Sequence, residues 1–253
     1  MQANYHTHTR WCHHATGEIE DYIIEAMRLG FEELAITEHV PHRDNLDPKR
    51  IQWEDFQAYD TALNSAIEKY GDKIHIIKGF ECEYYPEEME SYQMFRDKYG
   101  YELMILGQHR CGPHREIDNF GTKGAGELMI YASEVTRGLK TGFFDFLAHP
   151  DLPLQGYIGG AWDVHCELAM RKIYSVCEEY HIPIEINGNG LRGGKVYPSR
   201  EAFRLSKEYN LQYLVNSDAH HAEFLYDDVI RSAEQFAEEL GLPVLKTYEY
   251  RRK

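Results

Sequence analysis

Short runs of Ile, Leu, Val and Phe alternate with longer amphipathic segments along the chain. The apolar runs predict strands at ANYH (3–6), ELAITEH (33–39), IHIIKGFE (74–81), ELMILGQH (102–109), FDFLAH (144–149), IPIEIN (182–187) and LQYLVNSD (211–218). Helices are predicted between them, near 18–30, 53–70, 87–98, 124–139, 163–180, 199–209 and 224–240, with Thr16, Asp163 and Ser199 as cap-like residues. VLKTY, at 244–248, is an eighth strand or only a closing segment. No Pro/Ser-rich linker or low-complexity break interrupts the alternation, which predicts one α/β domain spanning residues 1–253. Strands this apolar, separated by helices, imply a parallel sheet buried on both faces, either doubly wound or closed into a barrel.

The polar residues choose between those two. His6 and His8 follow the first predicted strand, His39 ends the second, Glu81 the third, His109 the fourth and His149 the fifth, and Asp218 and His220 close the seventh. An open sheet concentrates its chemistry at one switch point, whereas a barrel gathers it from the carboxyl ends of many strands. The distribution predicts a barrel with one central site at that end.

Composition narrows the function. At 253 residues and 43% hydrophobic content, the chain can bury a full core. A formal charge of −15 repels polyanions, so neither nucleic acid nor an anionic membrane is expected as a partner. Runs such as LMIL (103–106) and FFDFLA (143–148) are too short to cross a bilayer, and no secretory leader pattern opens the sequence, so a cytoplasmic location is expected. The five cysteines have no C-x-x-C spacing, which argues against a disulfide framework and against a thiolate zinc site.

A single histidine at a strand end is more often structural than a ligand. The conjunction at one strand end after another, with apolar strand bodies, points to metal. Imidazole and carboxylate without thiolate suit zinc, iron or manganese, and the set exceeds the needs of one ion, so two or three divalent cations are expected. Clustered cations generate hydroxide from bound water and clamp phosphoryl oxygens, which makes phosphoester hydrolysis the natural chemistry.

H-T-H at 6–8, a further histidine at 14, T-E-H at 37–39, G-F-E at 79–81, G-Q-H at 107–109, A-H-P-D at 148–151 and N-S-D-A-H at 216–220 occur in an order and spacing that resemble the PHP (polymerase and histidinol phosphatase) phosphoesterases. The likeness covers most of the chain and is to the histidinol-phosphatase branch. It implies a distorted (β/α)7 TIM-like barrel around a trinuclear centre. By motif, one ion takes His6, His8, Glu81 and Asp218, a second takes the shared Glu81 with His109 and His149, and a third takes His14, His39 and His220. At the CHH step either His13 or His14 is the ligand, and motif spacing favours His14.

The resemblance also implies a phosphomonoesterase that hydrolyses L-histidinol phosphate by attack of a metal-bridging hydroxide, with Glu81 and Asp218 in the centre. Arg192, in a G-L-R segment after the sixth strand, is the expected phosphate holder, with Asn187 beside it; Lys195 has only its charge to recommend it. His42 is a candidate to protonate the leaving oxygen, with a solvated loop position as the alternative, and Glu83, Glu87 or Glu88 at the rim could attract an ammonium group. Two departures from the branch pattern bear on substrate. LPLQGY (152–157) stands where arginines often follow the fifth-strand motif, and G-Q-H replaces a G-S-x-H form. Another small phosphoester (nucleotide, sugar or cyclic phosphate), a phosphotyrosyl protein, or a noncatalytic metal-binding role are the alternatives. Oligomeric state is not legible.

Overall fold

The computed structural model describes residues 1–157 and 161–250. Its strands are β1 (Ala3–Asn4), β2 (Glu33–His39), β3 (His75–Cys82), β4 (Leu103–Leu106), a small antiparallel hairpin of β5 (Arg110–Cys111) and β6 (Ile117–Asp118), then β7 (Phe146–Leu147), β8 (Ile184–Asn187) and β9 (Tyr213–Asn216). Apart from the hairpin they form one seven-stranded sheet in the order β1-β2-β3-β4-β7-β8-β9, parallel throughout. The helices are α1 (Ile19–Leu29), α2 (Phe56–Tyr70), α3 (Met89–Tyr99), α4 (Ala125–Lys140), α5 (Val164–Tyr180), α6 (Arg200–Ser206) and α7 (Asp228–Leu240).

The sheet curls until its edges meet, and the seam explains the distortion. Only one bridge joins the ends of β1 and β9, Thr7 to Ala219, with the His8 N–H donating to the Ala219 carbonyl at 2.9 Å. Below it two asparagine side chains replace the missing ladder. Asn216 Oδ1 accepts from the Tyr5 N–H at 3.0 Å, and Asn4 Oδ1 accepts from the Ser217 N–H at 2.7 Å. The backbone groups along the seam are thereby paired as a buried backbone requires.

Alternation along each strand divides the core in two. Ile36, Ile76, Phe80, Met104, Ile184 and Ile186 face the helices, where Phe80 stacks on Tyr101 with centroids 4.2 Å apart. Ala35, Ile77, Leu103, Ile105, Phe146 and Leu214 fill the barrel. The same period of two carries the inward face of β3 from Ile77 past Gly79 to Glu81, so apolar filling gives way to polar groups at the carboxyl end.

The segment after α7 is a closing segment and not an eighth strand. It makes one bridge, Val244 to Tyr213, and then crosses the amino end of the barrel. There Tyr248 donates its N–H to Tyr5 Oη at 2.8 Å and its hydroxyl to the Asp145 carbonyl at 2.7 Å, while Tyr250 joins the inner core.

Asp163 and Ser199 cap α5 and α6 as expected, Asp163 accepting from the His165 and Cys166 N–H groups at 2.8 and 3.0 Å. Thr16 caps nothing. Glu18 and Asp21 form a reciprocal capping box for α1, because the chain turns once more before the helix starts. All five cysteines are free and buried. Among the described residues no helix is long and apolar enough to cross a membrane.

Candidate metal centre

Glu81 ends the inward face of β3, and imidazoles surround both of its oxygens. Oε2 lies 3.0 Å from His39 Nδ1 and 3.4 Å from both His6 Nε2 and His8 Nε2. Oε1 lies 2.8 Å from His149 Nε2 and 3.3 Å from His109 Nε2. Gly107 makes this possible, since a Cβ there would sit 1.9 Å from Glu81 Oε1. Across the seam, Asp218 Oδ1 lies 3.2 Å from His8 Nε2 and 3.6 Å from His6 Nε2. The ring of His8 stacks between those of His39 and His220, with centroids 4.3 and 4.6 Å away.

The structure distinguishes His14 from His13. His13 takes a left-handed backbone (φ 64°) and turns outward, with Nδ1 3.0 Å from the Pro48 carbonyl. His14 Nδ1 faces the Cys12 carbonyl at 2.8 Å, which aims Nε2 at His220 Nε2, 3.0 Å away. Every sequence-predicted ligand thus reaches one cluster at the carboxyl end of the barrel.

That cluster fits cations. His6 Nε2 and both ring nitrogens of His8 are buried without a hydrogen-bond partner. The facing His14 and His220 rings decide the matter more sharply. Each turns Nδ1 to a backbone carbonyl, His220 to that of Asp218 at 3.0 Å, so each Nδ1 carries the proton and each Nε2 a lone pair. Burial, His8 and His14 hold His220 down to about 3, and burial also lowers His14 from its ordinary value. Two lone pairs in contact are a place for a divalent cation.

The electrostatics agree. Burial alone would raise Glu81, but His109, His6 and His39 hold it well below its ordinary value; His6, His8 and His220 do the same for Asp218 against its burial. Burial works against the charge on His6, yet Glu185, Asp218 and Glu81 lift it to about 10. Donor atoms within 4.8 Å of one another group as His6, His8 and Glu81; as His6, His149 and Asp218; as His8, His39 and His220; and as Cys12, His14 and His220. Cys12 was not expected there, and burial pushes its thiol up to about 12.

Two carboxylates went unnoticed in the sequence, Glu38 and Glu185. Glu38 Oε1 accepts from the Thr9 N–H at 2.6 Å and from the Thr9 hydroxyl, and its Oε2 lies 3.7 Å from His8 Nδ1. Glu185 Oε1 lies 2.8 Å from His6 Nδ1, and its Oε2 accepts from the His149 N–H at 2.9 Å. The signal was legible. A charged residue between two apolar ones in IEIN, at an inward position, faces the barrel interior. His149 (φ 27°) and Asp218 (φ 46°) are held in left-handed backbone, the kind of strain that concentrates at functional sites.

The expected substrate groups need correction. Arg192 does not line the cleft. Its guanidinium pairs with Asp227 at 2.8 Å and lies 3.8 Å over the Phe224 ring, because Asp227 caps α7 beside it. Both amide hydrogens of Asn187 are engaged, donating to Glu185 Oε2 and Asp218 Oδ2, while its oxygen accepts from the Gly190 N–H, so it steadies Asp218 and has no donor left for a phosphate oxygen. His42 is buried to one side between Tyr92 Oη (2.9 Å) and Arg115 (3.1 Å), and burial with Arg50 and Arg115 holds it well below its ordinary value. Glu83 is buried against Arg50, and Glu87 and Glu88 pair with Arg115, so these acids are not free at the rim. The cleft over the cluster, about 310 Å³, is lined instead by Lys195, Lys49, Arg110, Asn189, Tyr197 and Phe120, among others.

The profile of the PHP domain matches residues 4–189. The chain belongs to the PHP domain family. Among curated relatives, a probable histidinol-phosphatase of Schizosaccharomyces pombe is 29% identical, over 87% of this chain and 81% of that protein. One of Deinococcus radiodurans is 23% identical over 85% of each. Among solved structures, histidinol phosphate phosphatase from Lactococcus lactis, complexed with zinc, L-histidinol and phosphate, superposes with a TM-score of 0.77 at 18% identity, over 98% of this chain and 97% of that one. That structure shares the fold of this chain.

Proposed function

We propose that this chain is a metal-dependent phosphomonoesterase that hydrolyses L-histidinol phosphate to L-histidinol and phosphate. The facing lone pairs of His14 and His220, next to a carboxylate whose two oxygens meet different imidazoles, carry the metal part of this reading. The names of the relatives support the substrate part.

In this reading two to three zinc, manganese or iron ions are held by His6, His8, Glu81 and Asp218, by Glu81, His109 and His149, and by His14, His39 and His220. When bound, such ions act as Lewis acids on phosphoryl oxygens and lower the pKa of water. The chain supplies the rest. Lys195, Lys49 and Arg110 put positive charge on the cleft wall where a phosphate dianion docks, and Tyr197, Leu152 and Phe120 give that wall its apolar surface.

Phosphate release from L-histidinol phosphate by zinc- or manganese-loaded protein tests the reading, beside nucleotides, sugar phosphates and a phosphotyrosyl peptide. A large preference for histidinol phosphate in kcat/KM is expected. Preference for another phosphoester would assign the substrate change to the cleft where LPLQGY stands and Arg192 is withdrawn; no turnover of any of them would refute the enzyme.

A further inference from the structure

Glu185 is completely buried and uses its carboxylate fully. Oε1 meets His6 Nδ1 at 2.8 Å and Asn216 Nδ2 at 3.1 Å; Oε2 meets the His149 N–H at 2.9 Å and Asn187 Nδ2 at 2.8 Å. The direction of each bond is determined. The Asn216 amide cannot be flipped, since its oxygen accepts from the Tyr5 N–H, and the Asn187 amide cannot, since its oxygen accepts from the Gly190 N–H. With the backbone N–H of His149, three of the four partners are therefore obligate donors, and the carboxylate accepts from all of them.

We infer that Glu185 is the positioning residue of the metal centre: it holds the Nδ1 proton of His6, so that Nε2, directed at Glu81 and Asp218, is the nitrogen left for a cation to take in place of a proton. The same carboxylate holds the left-handed turn at His149, and through the second amide hydrogen of Asn187 it reaches Asp218 Oδ2 at 3.2 Å. One side chain of β8 thus sets ligands that arrive from β1, β7 and β9. Glu38 makes a looser counterpart for His8, at 3.7 Å. The inference rests on the metal part of the proposed function and is independent of its substrate.

Glu185→Gln is the informative variant because it keeps shape and volume. An amide can accept at one end only, so its NH2 must face either His6 Nδ1 and Asn216, or His149 N–H and Asn187. The first choice moves the His6 proton to Nε2 and removes a ligand; the second opposes donors to donors. After metal stripping, zinc titration against a competing chelator should show at least one equivalent bound about 10- to 100-fold more weakly than in wild type, the usual cost of losing such a carboxylate. Circular dichroism of the stripped proteins checks that the variant folds. Independently, nitrogen-15 spectra of zinc-loaded wild type, with His6 assigned by H6N, should show the His6 ring protonated at Nδ1. Zinc affinity of E185Q within threefold of wild type, or protonation of His6 at Nε2, overturns the inference. Failure of wild type to bind zinc would instead refute the metal centre itself.

Discussion

Glu81 holds the centre together because its two oxygens serve different sets of imidazoles, so a substitution there should separate geometry from charge. Glu81→Gln keeps the volume beside Gly107 but leaves an NH2 facing histidines; zinc content should fall by at least one equivalent and kcat by about a hundredfold or more. His149→Ala should behave alike. For phosphate, the contrast is between two cations close in sequence. Lys195→Met should raise KM for the phosphoester about 10- to 100-fold, the worth of a charge-assisted bond, whereas Arg192→Met should change it less than threefold and cost stability through Asp227 instead. Equal effects on KM would show that Arg192 swings into the cleft during binding. The ligands were legible as isolated residues because imidazoles and carboxylates recurred where apolar strands stopped. Arg192 was not legible, because its partner is the cap of a helix that follows the next strand, and pairing across that interval leaves no local sign. Glu185 was overlooked for the opposite reason: the alternation in IEIN announces it, but a search confined to strand ends passes it by.

The elements were read from periodicity, which locates apolar faces well and hydrogen-bonded ladders less well. Helices begin and end close to the expected residues, yet of the strand expected over 144–149 only Phe146–Leu147 is regular strand, and at its start the Met104 N–H is taken by the Asp145 carboxylate, which also pairs with Arg96. Caps are the part of an element most exposed to pH. The Cys166 N–H foremost, with Tyr157 and His165, holds the Asp163 carboxyl below its ordinary value. A depressed carboxyl stabilises the fold fully above the unfolded pKa, about 3.9, and loses that contribution as pH falls toward the folded value. Thermal unfolding of wild type and Asp163→Ala should therefore differ most at pH 5 and above, about a pH unit past that value, and the difference should shrink steadily on acidification. A gap independent of pH would mean that the helix start is held by packing and not by the cap.

At the scale of the molecule, the barrel is open to chemistry at one end and covered at the other. Tyr250 packs into the inner core with 5% of its surface exposed, so Tyr250→Ala should cost about 3 kcal/mol, read by urea unfolding, with little effect on metal content. Metal removal should act from the opposite end. In the proposed metal centre cations bind the folded cluster, so a chelator should lower Tm by several degrees, about what a few kcal/mol of linkage gives, and zinc should restore it. Recovery of Tm without zinc would exclude cations as part of the fold. The closed shape itself was legible only in outline, since the seam depends on two asparagines that look like ordinary strand residues. That seam has a consequence for biosynthesis. Tyr5 and Asn216 meet across 211 residues, and His14 and His220 across 206. A nascent chain emerging from the ribosome holds His6 and His8 ready long before Asp218 and His220 exist, so the two proposed ion sites that draw on both ends of the chain have no complete set of ligands until residues 218 and 220 are made, although Glu81, His109 and His149 are all present by residue 149. On the proposed assignment, full metallation is thereby deferred until translation has passed residue 220.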